Sequence, residues 1–263
     1  MSKTDKMIAR KEGRVGFMIF NNPERHNAVS LEMWERAGEI LGEFAGDKEV
    51  RVLIVTGAGS KAFVSGADIS RFEDERANEQ AIARYNSTVE RTFAAMDAFP
   101  KPSIAMIRGF CMGGGLGFAL GCDMRIASDD ARFALPAAKL GLGYGLAGIK
   151  RFVDIVGPAF TKEIFFTARA FDAAEAIAMG LINRVLAGPQ LEPYVREYAD
   201  TVAQNAPLTV GATKFIVGEA LKDEGARDLA RCEAMVKQCF ASRDYQEGRR
   251  AFMEKRKPEF SGT

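Results

Sequence analysis

The sequence predicts an α/β protein with a strand-rich first half and a helical last third. Short apolar runs of strand length recur early in the chain and alternate there with segments of helical apolar spacing. A glycine-rich stretch lies near the middle, and beyond residue 146 the pattern is mostly helical. We therefore expect a strand-rich part that carries the functional site, followed by a helical region.

The first half contains the predicted strands. They share continuous apolar runs: 15–20, 51–56 and 104–107. Residues 21–27 after the first strand are dense in turn formers. Ser30 is placed to cap an amphipathic helix that runs to about Phe44. A second amphipathic helix is expected from about Asn78 to Phe99, where two prolines follow.

The most distinctive stretch is Ser103 to Ser128, which we interpret as strand, glycine turn, helix and strand. Glycines 113–115 carry no Cβ that would keep the backbone away from a ligand. Because the turn opens a helix, free N–H groups and the positive end of the helix dipole face that ligand. Such a place suits a phosphate or an oxyanion formed during a reaction. On its own, the triplet is more typical of a close contact between packed elements.

The last part is expected to be helical after a glycine-rich loop at residues 133–146. The predicted helices are 148–156, 158–167, 173–179, three that begin near residues 191, 207 and 226, and a final one at 245–255. Gly180 is expected to end the third of these, and a short strand is predicted at 181–185.

Composition and charge exclude several classes of protein. The 263 residues include 36 basic and 35 acidic side chains, so bulk charge gives no reason to expect nucleic acid or a membrane as a partner. The amino-terminal segment has no apolar core of signal-peptide length, and residues 109–122 are too short to span a bilayer. Four cysteines without a CxxC pair and a single histidine, His26, leave no zinc constellation. We expect a reduced, cytoplasmic protein without a bound metal.

Two glycine patterns leave a nicotinamide-dependent oxidoreductase as an alternative. Residues 52–60, VLIVTGAGS, resemble the strand and glycine turn of a dinucleotide-binding fold, and residues 143–148 match GxGxxG. The first pattern lacks a third glycine that opens a helix, and the second follows PAAKL rather than a strand.

Four segments, taken in order, resemble the crotonase superfamily, the enoyl-CoA hydratase/isomerase family. They are NNPERHNAV (21–29), AFVSGADIS (62–70), GFCMGGGLGFALGCDMRIAS (109–128) and FMEKRKPEF (252–260). Each motif is weak alone, but the ordered set runs nearly end to end. The resemblance implies a crotonase-like spiral of ββα units with an acyl-CoA site in residues 1–190. It also implies a helical C-terminal trimerisation region in residues 191–263, and hence a homotrimer or a dimer of trimers.

The resemblance implies a CoA thioester as substrate, with coenzyme A as part of it and no separate cofactor. It maps an oxyanion hole onto the backbone N–H groups of Ala67 and Gly114, where enolisation would place negative charge. It implies coenzyme A contacts from Arg25, Ala28, Ser65, Asp68, Ile69, Phe252 and Lys255. From the residues alone, Arg25 and Lys255 are typical solvated charges, and Asp68 is equally suited to cap a helix. The pattern favours a structural role for Asp123, loop exposure for His26 and core packing for Cys111.

The chain departs from the family at the two glutamates that hydratases use, which correspond to Gly117 and Ala137. Because a general acid or base is worth roughly 10²–10⁴-fold, ordinary hydration is expected to be slow while thioester activation is retained. The best single description is an enoyl-CoA hydratase-like lyase. The alternatives are another crotonase-type reaction (acyl-CoA hydrolase, isomerase, lyase or decarboxylase) and a CoA-binding protein without catalysis.

Two sets of side chains are candidates for the missing proton transfer. Tyr144 follows Ala137 in the same loop, although a packing tyrosine is equally typical there. Glu73, Asp74 and Glu75 follow the Ala67 segment, where a solvated helix start is the more typical interpretation.

Overall fold

The computed structural model describes residues 4–71, 75 and 77–263. Its strands are β1 (Met7–Glu12), β2 (Val15–Phe20), β3 (Val52–Gly57), β4 (Ala62–Val64), β5 (Ser103–Ile107), β6 (Phe110–Met112), β7 (Met124–Ser128), β8 (Arg132–Ala134), β9 (Phe171–Asp172) and β10 (Arg184–Leu186). They form a six-stranded sheet in the order β1-β2-β3-β5-β7-β10 and a four-stranded sheet in the order β4-β6-β8-β9. Neighbouring strands are parallel except for β1 with β2 and β8 with β9.

The α-helices of the described residues are α1 (Leu31–Gly46), α2 (Glu79–Asp97), α3 (Gly114–Gly121), α4 (Leu146–Thr167), α5 (Ala173–Ala178), α6 (Gly188–Gln204), α7 (Pro207–Ala220), α8 (Leu229–Ala241) and α9 (Arg243–Met253). Helix α4 contains both helices predicted between residues 148 and 167, joined across a kink at Gly157, where φ is +73°. The next residue is Pro158, which has no N–H to donate to the preceding helical turn. A kink at this point therefore leaves no backbone donor of residue 158 without an acceptor. Within the described chain, no helix is both long and apolar enough to cross a bilayer.

The chain spirals through both sheets together. Each of the pairs β3–β4, β5–β6 and β7–β8 contributes its first strand to the large sheet and its second strand to the small one. Within each sheet the successive strands are parallel neighbours. Helix α2 follows the first pair and α3 follows the second. The fold is therefore the predicted crotonase-like spiral of ββα units, followed by a helical C-terminal region.

Both faces of the six-stranded sheet are buried. One face joins the main core through residues such as Met18 and Val55. The opposite face, which includes Phe17 and Ile54, is covered by Leu191 and its neighbours on α6. Strands buried on both faces are continuous apolar runs, and this is why β2, β3 and β5 can be predicted from sequence. Helix α6 packs on this sheet and contains the predicted boundary between residues 190 and 191.

Strand β7 (Met124–Ser128) agrees with the strand predicted at the end of the Ser103–Ser128 stretch, whereas several other strands differ from the sequence prediction. Only Met7 of β1 is buried, because β1 lies at the edge of the large sheet, and an exposed edge strand carries no apolar run. Strands β6 and β8 are three residues long and exist through pairing in the small sheet, a tertiary contact that no local pattern encodes. β8 and a 3₁₀ helix, Pro136–Leu140, thus replace part of the predicted loop at 133–146. The strand predicted at 181–185 is found at Arg184–Leu186.

Candidate active site

Two loop segments of the spiral meet at Gly66 and Gly113. Gly66 has a φ of +116° and Gly113 a φ of +53°, conformations that residues with a side chain rarely adopt. A Cβ placed on Gly113 would lie 3.8 Å from the Cα of Gly66, so the two backbones touch. The contact brings the next residues of the two segments, Ala67 and Gly114, to the same part of the molecule.

The N–H groups of Ala67 and Gly114 donate no hydrogen bond to any residue that the structure describes. On either side of Ala67 the backbone is paired with Val29: Val29 N–H donates to Gly66 O and Asp68 N–H donates to Val29 O, both at 2.9 Å. Gly114 begins α3, and the first N–H groups of a helix have no intrahelical acceptor. Two such amides, one of them at a helix N-terminus, suit an oxygen that carries negative charge. Their role as an oxyanion hole stays a prediction.

An aromatic cluster forms a wall beside the glycine turn. The rings of Trp34 on α1, Phe93 on α2 and Phe118 on α3 have centroids 5.5–5.6 Å apart. Trp34 Cζ2 lies 3.5 Å from the position of a Cβ on Gly114. Trp34 is not among the site residues predicted from the sequence. It is the single tryptophan of the chain and lies on the apolar face of the first predicted helix.

The two positions without a glutamate are packed by other groups. A Cβ on Gly117 would meet Phe93 Cε1 at 3.2 Å, and the Gly117 carbonyl accepts a hydrogen bond from Arg151 Nη1 at 3.1 Å. Ala137 is buried in the 3₁₀ helix that follows β8. Arg151 in turn pairs with Asp97, Nη2 to Oδ2, at 2.5 Å, so Gly117 has both an aromatic ring and an ion pair near it.

Five of the residues predicted to contact coenzyme A are neighbours. Arg25 Nη1 pairs with Asp68 Oδ1 at 3.4 Å and donates to Ser70 Oγ at 2.5 Å. Ser65 N–H donates to His26 O at 3.1 Å, and Asp68 Oδ1 accepts from Ser70 N–H at 3.2 Å, so Asp68 does cap a short 3₁₀ helix. Together these contacts join the turn that holds Arg25 and Ala28 to the segment that holds Ser65, Asp68 and Ile69.

Phe252 and Lys255 stand apart from that group. Both are exposed at the end of α9, which packs against α8. No hydrogen bond or ion pair joins either of them to the other five predicted contacts within the described ranges. Their contact with coenzyme A stays a prediction, as do the contacts of the other five.

Tyr144 packs against α4. Its ring lies edge-on to Phe165, with centroids 5.2 Å apart, and a Cβ on Gly148 would lie 3.2 Å from its Cδ1. Partial burial raises the pKa of its hydroxyl. These contacts are those of a packing tyrosine, and a catalytic role for Tyr144 stays a prediction.

Glu75 is not the solvated helix start that the sequence predicted. Its Oε1 accepts the Leu31 N–H at 2.9 Å, while its Oε2 is buried and has no hydrogen-bond partner among the residues that the structure describes. Burial raises the pKa of the carboxyl group above 4.5, its ordinary value. Ser30 does occupy the N-cap position of α1, but its hydroxyl makes no capping bond, and the Glu75 carboxylate serves the first N–H instead. Glu73 and Asp74 lie outside the described residues.

Three structural interpretations of single side chains are confirmed. Asp123 Oδ2 accepts hydrogen bonds from Ser103 Oγ and Lys214 Nζ, both at 2.8 Å, and so ties the loop after α3 to its surroundings. Cys111 is fully buried, and burial raises the pKa of its thiol. His26 is exposed, with its ring against Phe110.

Neither glycine pattern has the surroundings of a dinucleotide site. The first follows β3 but leads into β4 rather than a helix. The second follows the 3₁₀ helix Pro136–Leu140 rather than a strand. A dinucleotide site needs strand, glycine turn and helix in succession, so the oxidoreductase alternative loses its structural basis.

The sequence and the fold are both similar to those of known proteins. The sequence model described as enoyl-CoA hydratase/isomerase matches residues 10–263. A short-chain-enoyl-CoA hydratase of Clostridium acetobutylicum is 34% identical over 255 residues, which are 97% of this chain and 97% of that protein. A crotonyl-CoA hydratase of Syntrophomonas wolfei is 32% identical over 256 residues, 97% of this chain and 98% of that protein. A solved structure from Magnetospirillum magneticum, described as an enoyl-CoA hydratase/carnithine racemase, has a TM-score of 0.92 at 32% identity and covers 99% of this chain and 97% of its own.

Proposed function

The chain belongs to the enoyl-CoA hydratase/isomerase family, and from that premise we propose that it stabilises the enolate of an acyl-CoA thioester at the N–H groups of Ala67 and Gly114. The observation that carries the proposal is the contact between Gly66 and Gly113, which brings two unpaired amides to one place. Membership of the family supports an enzyme that acts on CoA thioesters. The position of the two amides supports stabilisation of the thioester enolate as the step that this chain would catalyse.

The chemistry follows from where charge develops. Enolisation of a thioester moves an electron pair from the α-carbon toward the carbonyl oxygen, which then needs hydrogen-bond donors. Amides held by the backbone require no reorganisation when that charge appears, and losing one such donor typically costs about 3 kcal/mol of transition-state stabilisation. The aromatic wall of Trp34, Phe93 and Phe118 lowers the local polarity, which strengthens those hydrogen bonds.

The best single name for the reaction is that of an enoyl-CoA hydratase-like lyase. Curated relatives named as short-chain-enoyl-CoA and crotonyl-CoA hydratases support this choice. The specific observation that favours a second candidate is the absence of a carboxylate at positions 117 and 137, which are glycine and alanine. That candidate is another reaction that places negative charge on the same thioester oxygen. It is hydrolysis through a tetrahedral oxyanion, or isomerisation, decarboxylation or a different elimination through the enolate.

Coenzyme A is assigned in this proposal to the surface around Arg25. Its guanidinium group is 57% exposed and is held by Asp68 and Ser70, so it remains available to a phosphate oxygen. Ala28, Ser65 and Ile69 would line the adjoining part of the nucleotide and pantetheine. Phe252 and Lys255 would reach the coenzyme A of a neighbouring subunit, because both stand apart from Arg25 in their own subunit.

The test is calorimetric titration with coenzyme A and crotonyl-CoA. We expect specific binding, weakened about tenfold (about 1.4 kcal/mol) in Arg25→Ala. Arg84→Ala is the matched control, since Arg84 is an exposed arginine whose partner, Glu35, lies on α1. A protein that binds NADH but no CoA species would refute the proposal. A panel of acyl-CoA thioesters followed by mass spectrometry would then identify the reaction.

A further inference from the structure

We propose that the Glu75 carboxylate is the proton-transfer group of this site, in place of the two glutamates that the chain lacks at Gly117 and Ala137. The inference rests on the proposed function, because it requires an acyl-CoA thioester held at Ala67 and Gly114. It concerns a residue outside the motifs that carry the family resemblance.

The geometry of the proposal comes from residues 29–34, a short stretch that contacts both segments of the predicted oxyanion hole. Val29 is hydrogen-bonded to the two residues that flank Ala67. Leu31 lies within about 7 Å of Val29 along the chain and donates its N–H to Glu75 Oε1 at 2.9 Å. Trp34 lies one helical turn after Leu31, with its ring 3.5 Å from the position of a Cβ on Gly114. The Glu75 carboxylate is therefore bound to the same short stretch that contacts both segments.

Two buried atoms in this region could form a hydrogen bond but have no partner for one among the described residues. Among the described residues, Trp34 Nε1 and Glu75 Oε2 are the buried side-chain nitrogen or oxygen atoms that have no hydrogen-bond partner. Trp34 is 2% exposed, and side chains on a helix lean toward its N-terminus, which is where Glu75 is bound. Leaving such an atom unpaired costs about 1–3 kcal/mol, so an unpaired buried atom calls for an explanation, and contact with a ligand or use in a reaction is one.

A purely structural role for Glu75 explains only one of its two carboxylate oxygens, the one that accepts the Leu31 N–H. Capping the first N–H of α1 needs one acceptor oxygen, and the amide of a glutamine would supply it equally well. The second oxygen is buried and unpaired, and burial raises the pKa of the group. A carboxylate with a raised pKa and an oxygen free to accept a proton has the properties of a general base.

The proposed step balances without any other reactant. Glu75 Oε2 takes a proton from the α-carbon of the thioester, and the electron pair of that C–H bond forms the C=C bond of the enolate. The charge moves to the thioester oxygen, where the N–H groups of Ala67 and Gly114 hold it. The Glu75 carboxyl group exchanges its proton with solvent, and return of a proton (in deuterated water, a deuteron) to the α-carbon restores the thioester and the carboxylate.

The test uses the intact protein and a saturated probe, butyryl-CoA, in deuterated water. Wild type is expected to exchange the α-protons of butyryl-CoA for deuterium, read by mass spectrometry. Glu75→Gln keeps an acceptor for Leu31 N–H, so it should fold and bind butyryl-CoA as wild type does while the exchange rate falls at least about 10²-fold. Glu79→Gln, an exposed glutamate in the first turn of α2, is the matched control and should exchange at the wild-type rate.

The pH dependence gives a readout that capping alone would not move. Exchange by wild type should decline as the pH falls through the raised pKa of Glu75, because only the ionised form accepts a proton. Burial is the main cause of that raised pKa. The Leu31 N–H and Arg71 oppose it, whereas Asp68 and Glu32 add to it. The residual exchange of Glu75→Gln should lack this acid limb.

The outcomes separate this inference from the proposed function. A wild-type protein that binds no CoA thioester would remove the proposed function itself. A wild type that binds butyryl-CoA without exchange, or a Glu75→Gln variant that exchanges at the wild-type rate, would overturn the role of Glu75 and leave it as the cap of α1. Equal loss of exchange in Glu75→Gln and Glu79→Gln would also overturn it.

Discussion

The Phe93 ring occupies the space beside Gly117 into which a glutamate side chain would begin to extend. A Cβ there would meet Phe93 Cε1 at 3.2 Å and Cζ at 3.6 Å, tight contacts that a small shift of the ring can relieve. On the other side, Arg151 holds the Gly117 carbonyl. Gly117 is therefore part of a packed arrangement between the Phe93 ring and the Arg151 side chain.

We expect the double variant Gly117→Glu with Ala137→Glu to hydrate crotonyl-CoA faster than wild type, which should be slow. The predicted oxyanion hole consists of backbone, so it does not depend on these side chains, and each restored acid or base is worth roughly 10²–10⁴-fold. Gly117→Glu also replaces a poor helix former within α3, a gain of roughly 0.5–1 kcal/mol. The measurement is the loss of enoyl-thioester absorbance.

The matched control is the double variant with glutamine at both positions, which has the same bulk against Phe93 and no proton to transfer. A folded, CoA-binding glutamate double variant without a gain would mean that the site serves other chemistry. Wild-type turnover equal to that of the double variant would show that the proton-transfer groups are complete without these positions.

Single residues also mark the limit of what the sequence can predict about the site. Ala67 and Gly114 follow from motifs, because the glycines beside them are visible in the sequence. The sequence offers Glu75 only as one of three neighbouring acidic candidates, and it does not offer Trp34. Among the described residues, what distinguishes both is a buried atom without a hydrogen-bond partner. That property arises when the segment holding Glu75 packs onto α1, and no local pattern encodes it.

At the scale of elements, long segments were predicted well and short ones were not. Helix α2 begins close to its predicted start at about Asn78, and the Asn78 side chain caps it by accepting the Ala81 N–H. Strands β6 and β8 consist of three residues each and are held by pairing with one another. The turn from β6 into α3, which contains the predicted oxyanion hole, was predicted only in part. Its glycines are visible in the sequence, but the positive φ of Gly113 is a property of the folded chain.

We expect Gly113→Ala to remove most of the catalytic activity while coenzyme A binding persists. An alanine at a φ of +53° is strained by about 1–3 kcal/mol, and relief of that strain would turn the Gly114 amide away from the oxyanion. Loss of one such donor typically lowers the rate about 10²–10³-fold. Deuterium exchange into butyryl-CoA and thermal unfolding, measured on the same samples, separate the two effects.

Gly141→Ala is the matched control for that variant. Gly141 has a φ of +65°, and a Cβ there would meet nothing within 4 Å, so its substitution imposes backbone strain in a loop away from the turn. Gly113→Ala should lose activity well beyond any loss in Gly141→Ala. Full activity in Gly113→Ala would instead show that the Gly114 amide is not part of the site.

At the scale of the whole molecule, the spiral is well covered but the C-terminal helices are not. The large sheet is buried on both faces. Helix α8, by contrast, has no buried residue, and Leu229 and Phe240 on it are 61% and 62% exposed. Phe252 at the end of α9 is 82% exposed. An apolar surface of this kind is typical of a subunit interface.

We therefore expect a trimer or a hexamer, with a mass by light scattering three or six times the 28.7 kDa of one chain. Leu229→Asp should lower that mass, because a charge would enter the apolar interface, while an aspartate in the first turn of α8 suits the helix dipole. Lys237→Asp on the same helix, at a side chain 81% exposed, is the control and should leave the mass unchanged. A wild-type protein that stays monomeric at micromolar concentration would contradict the prediction.

Because Phe252 and Lys255 are assigned to a neighbouring subunit's coenzyme A, dissociation by Leu229→Asp should also weaken coenzyme A binding, whereas Lys237→Asp should not.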